Sequence, residues 1–380
     1  VASLRQQLVD PSRKLVGALM FNRDGSVDNS KCTSVLWSPR NDGAPYFIST
    51  HSNGNLYIYD KTKEGGSEPV FSPIKDPTSF QISHAKSVKS CPISRWHLCS
   101  GSINCAAFSH DGALLATGTQ DGQLRIFDFS RGSLYCGGRS YYGAILSLAW
   151  SHDARFVAIG GQDDLVSIYS MSERCIVSWG EGHSSWVSDL AFDPFWIQPG
   201  PPSRSASISD DFDPDVYRIV SVSQDCQMAL WEFCVEDAAL VTRPPPTVPS
   251  PGTSSFFSQS PASTPKSIPS PSSSLTNSSP SAFHRRSTSL SSSQDIIASS
   301  TMMATLIAPS PTRSEVLRIS PVMLRPLHQE PLTGLLCTEQ ALLTACQGAQ
   351  VKLWLRPNVW SRLVAEGKVT AEEDPMRVEL

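Results

Sequence analysis

Apolar and polar positions alternate along much of the chain in short runs, and the runs recur at a fixed spacing. Asn104–Phe127 (NCAAFSHDGALLATGTQDGQLRIF) aligns without a gap on Leu146–Tyr169 (LSLAWSHDARFVAIGGQDDLVSIY). Phe108 and Trp150 therefore stand 42 residues apart, as do Asp121 and Asp163, and Phe192 follows Trp150 by the same interval. Each unit reads as an alternating strand, a polar turn, a second strand, a tight hairpin and a third strand. Strict alternation marks half-buried strands, so every unit predicts one small antiparallel sheet.

The hairpins fall at Asn53-Gly54, Asp121-Gly122, Asp163-Asp164, Asp225-Cys226 and Gly348-Ala349. Asn-Gly and Asp-Gly suit two-residue turns whose central residues both take positive φ. Six positions after the first turn residue comes an aromatic each time: Tyr59, Phe127, Tyr169, Trp231 and Trp354. Four positions before it comes Ser49, Thr117, Ser221 or Thr344, with Ile159 as the exception. A repeat of roughly 40–45 residues with several strands per unit is that of a β-propeller blade. The fold class is thus all-β, with five repeats visible at about 31–60, 101–130, 143–180, 185–233 and 332–355. The sequence begins at Val1 rather than Met, and a start partway round a seven-bladed ring, with N-terminal blades missing, is expected.

The domain layout expected is a propeller over residues 1–235, interrupted by loop insertions at about 61–100 and 197–215. Residues 61–100 are expected to hold an outer strand and a loop. Residues 236–315 are dominated by Ser, Pro and Thr. Such composition cannot bury enough apolar surface to offset chain entropy and predicts a disordered linker. Residues 316–357 then form the final repeat, and 358–380 a charged tail.

With these repeats the chain resembles the WD-repeat family. One unit carries that family's internal relay: His183 opens it, Ser221 lies on the second strand, Asp225 in the turn and Trp231 on the third strand. A buried indole N–H needs an acceptor and a buried carboxylate needs donors. The set looks like a catalytic triad on paper, but its Ser sits in a strand at repeat register with no oxyanion-hole motif, so it reads as structural. The order INCAAFSHDGALLATGTQDGQLRIFDF, SYYG, WSHDARFVAIGGQDDLVSIYS, EGHSSWVSDLAFDPF and LLTACQGAQVKLW further resembles the catabolite-repression CreC type of WD-repeat protein, relatives of the dystrophia myotonica WD-repeat protein. That resemblance implies a non-catalytic partner that binds and activates a ubiquitin-specific protease, alongside a second WD-repeat cofactor.

Composition narrows the alternatives. A net charge of −4 and the lack of clustered basic residues argue against a nucleic-acid partner. No run of about eighteen apolar residues exists to span a membrane. Ten cysteines without C-x-x-C spacing read as buried hydrophobes in a reducing cytoplasmic or nuclear compartment. No motif for a cofactor, a metal or a small-molecule substrate is present. His110 and His152 belong to Ser-His-Asp turns, and Asp211, Asp213 and Asp215 lack the glycine and Glu of a calcium loop. A cullin-type ligase receptor is the alternative reading, weakened because Trp231 is followed by Glu-Phe-Cys rather than Asp-x-Arg. The partner-binding candidates are Tyr142 and Trp186, 44 residues apart at the openings of adjacent repeats, with Tyr141 as a weaker neighbour. Ser250, Ser260, Ser270, Ser279 and Ser310 each precede proline and are candidate phosphorylation sites, as are Ser207 and Ser209 before the acidic cluster.

Overall fold

The computed structural model describes residues 28–39, 46–63, 69–87, 89–196, 216–242, 306–366 and 378–379. Among these residues the alternating runs form five antiparallel sheets, one per repeat. The first blade comprises β1 (Cys32–Trp37), β2 (Tyr46–His51), β3 (Asn55–Asp60), β4 (Gln81–His84) and β5 (Ser94–His97). Here β5 pairs β3 and β4 lies outside it, so residues 61–100 supply two outer strands rather than one. The second blade is β6 (Ile103–Phe108), β7 (Leu114–Thr119), β8 (Gln123–Asp128) and β9 (Ser133–Arg139). The third is β10 (Ile145–Trp150), β11 (Phe156–Gly161), β12 (Leu165–Ser170) and β13 (Cys175–Glu181). The fourth begins with β14 (Val187–Phe192), β15 (Val216–Ser223) and β16 (Gln227–Cys234), and runs into helix α1 (Val235–Thr242).

The segment expected as a linker departs from that expectation at both ends. At its start α1 continues from β16, with Val235 and Ala238 packed into the core of the third and fourth blades. At its end the chain is held from residue 306 onward: Ile307 bridges Gly137, and Ala308 N–H donates to Gly137 O at 2.9 Å. It then adds β17 (Leu317–Ile319) parallel to β13, and β18 (Met323–Pro326) antiparallel to β16. Residues 317–326, expected in the final repeat, therefore complete the third and fourth blades. The middle of the segment lies outside the described residues. The physical reason is local: Ile307, Val316, Leu317 and Ile319 find cover on strand edges, although the Ser/Pro composition around them is that of a linker.

The fifth blade is β19 (Leu332–Cys337), β20 (Ala341–Cys346) and β21 (Val351–Leu355). After helix α2 (Pro357–Ala365), β22 (Val378–Glu379) pairs β21 as a fourth strand, so the tail also contributes structure. The hairpin tips differ from the expected two-residue turns. Gly54, Gly122, Asp164, Cys226 and Ala349 have positive φ, while the residues before them do not. In four blades the positive-φ residue's N–H also bonds the carbonyl three positions back, as Gly122 does to Thr119 at 3.0 Å. These are three-residue loops, a turn closed by one left-handed residue.

The core lies between consecutive sheets. Ala116, Leu124 and Ile126 of the second blade pack on Ile145, Leu148 and Val157 of the third. Ala158, Val166 and Ile168 then pack on Val187, Ile219 and Trp231 of the fourth. Every inner strand also shifts register after its first residue, between Cys32 and Ser34, Ile103 and Cys105, Ile145 and Ser147, Val187 and Asp189, and Leu332 and Gly334. A bulge leaves one residue unpaired, and in three of the five blades that residue fastens the next one. Thr33 Oγ1 donates to Ile103 O at 2.6 Å, Asn104 Nδ2 to Ile145 O at 3.0 Å, and Ser188 Oγ to Leu332 O at 2.6 Å. Leu146 has no donor to offer, and there Ser147 Oγ donates to Asp189 instead, at 2.8 Å.

Candidate protein-binding face

The relay of the fourth blade sets the geometry of the loop that opens it. Trp231 Nε1 donates to Ser221 Oγ at 2.8 Å, Ser221 Oγ lies 2.8 Å from His183 Nε2, and His183 Nδ1 lies 3.0 Å from Asp225 Oδ2. Because the indole donates into the hydroxyl, a continuous donor chain runs from Trp231 to Asp225. Burial pushes the Asp225 carboxyl up, but His183 and the N–H groups of Ser184 and Gln227 outweigh it and hold the carboxyl below its ordinary range. Asp225 thereby pins the loop: Ser184 N–H donates to it at 2.9 Å, and Gln224 N–H donates to Trp186 O at 3.0 Å. The loop backbone is fixed at both ends, and the Trp186 side chain stands 42% exposed.

The third blade repeats the device without a histidine. Asp163, at the same turn position, accepts the N–H of Leu165 and, from the opening loop, those of Tyr141 and Tyr142. Burial outweighs these donors and raises its carboxyl above the ordinary value. Ser140 Oγ donates to Gly143 O at 3.0 Å, and Gly143 takes φ 65°. A side chain there would strike Gln162, 2.8 Å from the would-be Cβ, so glycine ends the turn and leaves Tyr142 projecting, 76% exposed.

Tyr142 precedes β10 and Trp186 precedes β14. These inner strands lie side by side, joined by the Ser147–Asp189 bond. Both rings therefore leave the same end of neighbouring blades, each on a loop held by the acid of its own hairpin. Tyr141 is placed differently. It packs with the buried Trp179 and Val316, under the guanidinium of Arg313, which is 5.4 Å from its ring and 4.8 Å from that of Trp179. It supports the loop from beneath. Asp163 shares Asp225's repeat position in the sequence, whereas nothing local in the sequence marks Arg313.

The remaining candidates lie elsewhere. His110 and His152 are exposed at the far ends of β6 and β10, with ring centroids 4.2 Å apart. Ser207, Ser209, the three aspartates beside them, Ser250, Ser260, Ser270 and Ser279 lie outside the described residues. Ser310 is described: its Oγ is 2.9 Å from Arg139 O and 3.0 Å from Ser140 O. Among the described residues no group of three or more His, Cys, Asp or Glu side chains is placed to hold a metal ion, and no helix is long and apolar enough to cross a membrane.

Comparison with known proteins agrees with this architecture. The family described as WD domain, G-beta repeat matches residues 82–128 and 137–170, which take in the outer strands of the first blade, the first three strands of the second and the first three of the third. The chain carries WD repeats, and its described blades are built like those of a WD-repeat β-propeller. It is similar to WD repeat-containing protein 20 of Mus musculus, at 37% identity over 258 residues, 60% of this chain and 45% of that protein. The chain thus aligns with less than half the length of that relative.

Proposed function

We propose that this WD-repeat scaffold is a non-catalytic partner of a cysteine-type ubiquitin-specific protease, which it engages through the face bearing Tyr142 and Trp186 and thereby activates. The observation that carries the reading is the pair of exposed aromatics on two pinned loops at one end of adjacent blades. Tyr and Trp are the residue types that dominate interface energies, and a loop fixed before binding loses little conformational freedom on association. The choice of protease follows from the resemblance to the CreC type. Activation by such a partner is a population shift, requiring tighter contact with the active arrangement of the protease than with the inactive one.

The test is Tyr142→Ala combined with Trp186→Ala, assayed by co-precipitation with the protease and by turnover of a fluorogenic ubiquitin substrate. Both rings are exposed, so the fold survives. Affinity is expected to fall by about a hundredfold or more, with loss of the rate enhancement. Unchanged binding and turnover would overturn the proposed face.

A further inference from the structure

The returning segment 306–319 grips the edges of two blades at a small number of points. Ile307 and Ala308 sit on Gly137 of β9. Arg313 lays its guanidinium on Tyr141 and Trp179, while its carbonyl accepts the Trp179 indole N–H at 3.2 Å. β17 then pairs β13 in parallel. Between these contacts the half-buried Ser310 turns its hydroxyl toward two main-chain carbonyls, those of Arg139 and Ser140. Pro311 follows it directly.

We infer that Ser310 is a phosphorylation site, and that phosphate on it releases residues 306–319 from the second and third blades. The hydroxyl holds its seat by donating its one proton. A phosphoserine carries close to two negative charges near neutral pH and has no proton to donate there. Set against two carbonyl oxygens, it is repelled from both. The modification is ordinary phosphoryl transfer from a nucleoside triphosphate, catalysed by a proline-directed kinase. The Oγ–phosphorus bond forms, the bond from the γ-phosphorus to the diphosphate leaving group breaks, and the hydroxyl proton passes to the kinase's base. In-line attack requires the hydroxyl to be turned outward, so the kinase acts on the detached segment and phosphate then prevents its return. Ser140 and Tyr141, the residues the segment holds, immediately precede Tyr142. Release therefore loosens the loop that presents Tyr142. This last consequence rests on the proposed binding face, whereas the release itself does not.

The full chain carrying genetically encoded phosphoserine at position 310 is compared with the unmodified chain by amide hydrogen exchange. The Ala308 amide is expected to exchange at least about fiftyfold faster in the phosphorylated chain, as a locally opened segment does. Equal protection would overturn the inference. So would greater protection, which would mean that Arg139 and Arg313 gather the phosphate and tighten the segment. A second arm treats unmodified chain and Arg313→Ala with a proline-directed kinase and ATP–magnesium. Incorporation at Ser310 is expected to rise about tenfold in Arg313→Ala, in proportion to the detached population. Equal rates, or no incorporation at Ser310 in either chain, would overturn the inference. Protease affinity is read separately: faster exchange with unchanged affinity would leave the release standing and remove only its link to Tyr142.

Discussion

In the fourth blade both ring nitrogens of His183 are engaged, one by Ser221 and one by Asp225. The fifth blade builds the same chain from other residues and stops short. Trp354 Nε1 donates to Thr344 Oγ1 at 2.9 Å, and His328 Nε2 lies 3.0 Å from that hydroxyl. Gly348 then stands where the acid would be, and His328 Nδ1 is buried without a partner. The opening loops differ in step. In the fourth blade the residue before the inner strand is the exposed Trp186, whereas in the fifth it is Pro331. Yet one backbone bond is common to both: Gln224 N–H to Trp186 O at 3.0 Å, and Gln347 N–H to Pro331 O at 2.9 Å. The Trp–hydroxyl–His chain suffices to close a blade. The acid adds the fixing of the loop in the third and fourth blades, where that loop carries an exposed aromatic, whereas Asp121 at the same position of the second blade bonds Thr119 and Arg125 instead.

If the fifth blade is internally weaker, its attachment to the fourth matters more than its own relay. Arg356 makes a bidentate pair with Asp193 at 2.9 and 2.6 Å, and both side chains are largely buried. Arg356→Ala leaves Asp193 buried and uncompensated, which costs about 3–5 kcal/mol. Urea melts should show that loss, with hydrogen exchange rising first in β19–β21. A loss confined to α2, with β19–β21 as protected as before, would mean that the pair does not fasten the blade.

The next largest effect is expected at Asp225. Asp225→Ala orphans His183 Nδ1 and the N–H groups of Ser184 and Gln227, at a cost of about 2–3 kcal/mol. Gly348→Ala, at the matching position of the fifth blade, is expected to stay within about 0.5 kcal/mol. The comparison also bears on binding, because Asp225→Ala frees the Trp186 loop and should weaken the partner, whereas Gly348→Ala should not. Equal destabilisation by the two changes would break the contrast.

What the sequence makes legible follows the range of the interactions. Alternation, turn residues and the 42-residue spacing are local, and they place the strands, the hairpins and the relay from His183 to Trp231. The second relay has its Thr344 and Trp354 at the same ten-residue separation as Ser221 and Trp231. It escapes notice because Gly348 removes the acid that marks the pattern. The attachment of residues 306–326 depends on pairing across more than a hundred residues, Ser178 with Leu317 for instance, and composition averaged over a Ser/Pro-rich stretch hides its few apolar contacts. Tyr141 and Tyr142 are chemically alike and adjacent. Their difference comes from chain far away in sequence: Tyr141 packs on Trp179 and on the returning Val316 and Arg313, while Tyr142 is left exposed.

The smallest expected effect is the most discriminating, because it restores the missing group. Gly348 has no positive φ, and a Cβ there would meet Glu330 Cγ at 3.1 Å, the stem of an exposed side chain able to move aside. Gly348→Asp supplies an acceptor for His328 Nδ1 and should stabilise the protein by about 1 kcal/mol at pH 7. The pH dependence carries the sign. Burial, aided by the Lys352 charge, holds His328 below its ordinary value of 6.5. Its contribution is therefore complete above pH 6.5 and is lost as pH falls through the folded-state value, because the unfolded chain takes up the proton first. His51, also lowered by burial, contributes in the same direction in both proteins, so the difference between them isolates His328. An aspartate beside the ring favours the imidazolium and should flatten the fall in stability between pH 6.5 and 5. Denaturant midpoints across that range decide it. A variant with the unaltered slope would show that Nδ1 of His328 is not what the fifth blade lacks, and Gly348→Asn, which accepts without charge, should give part of the gain at pH 7 while leaving most of the slope.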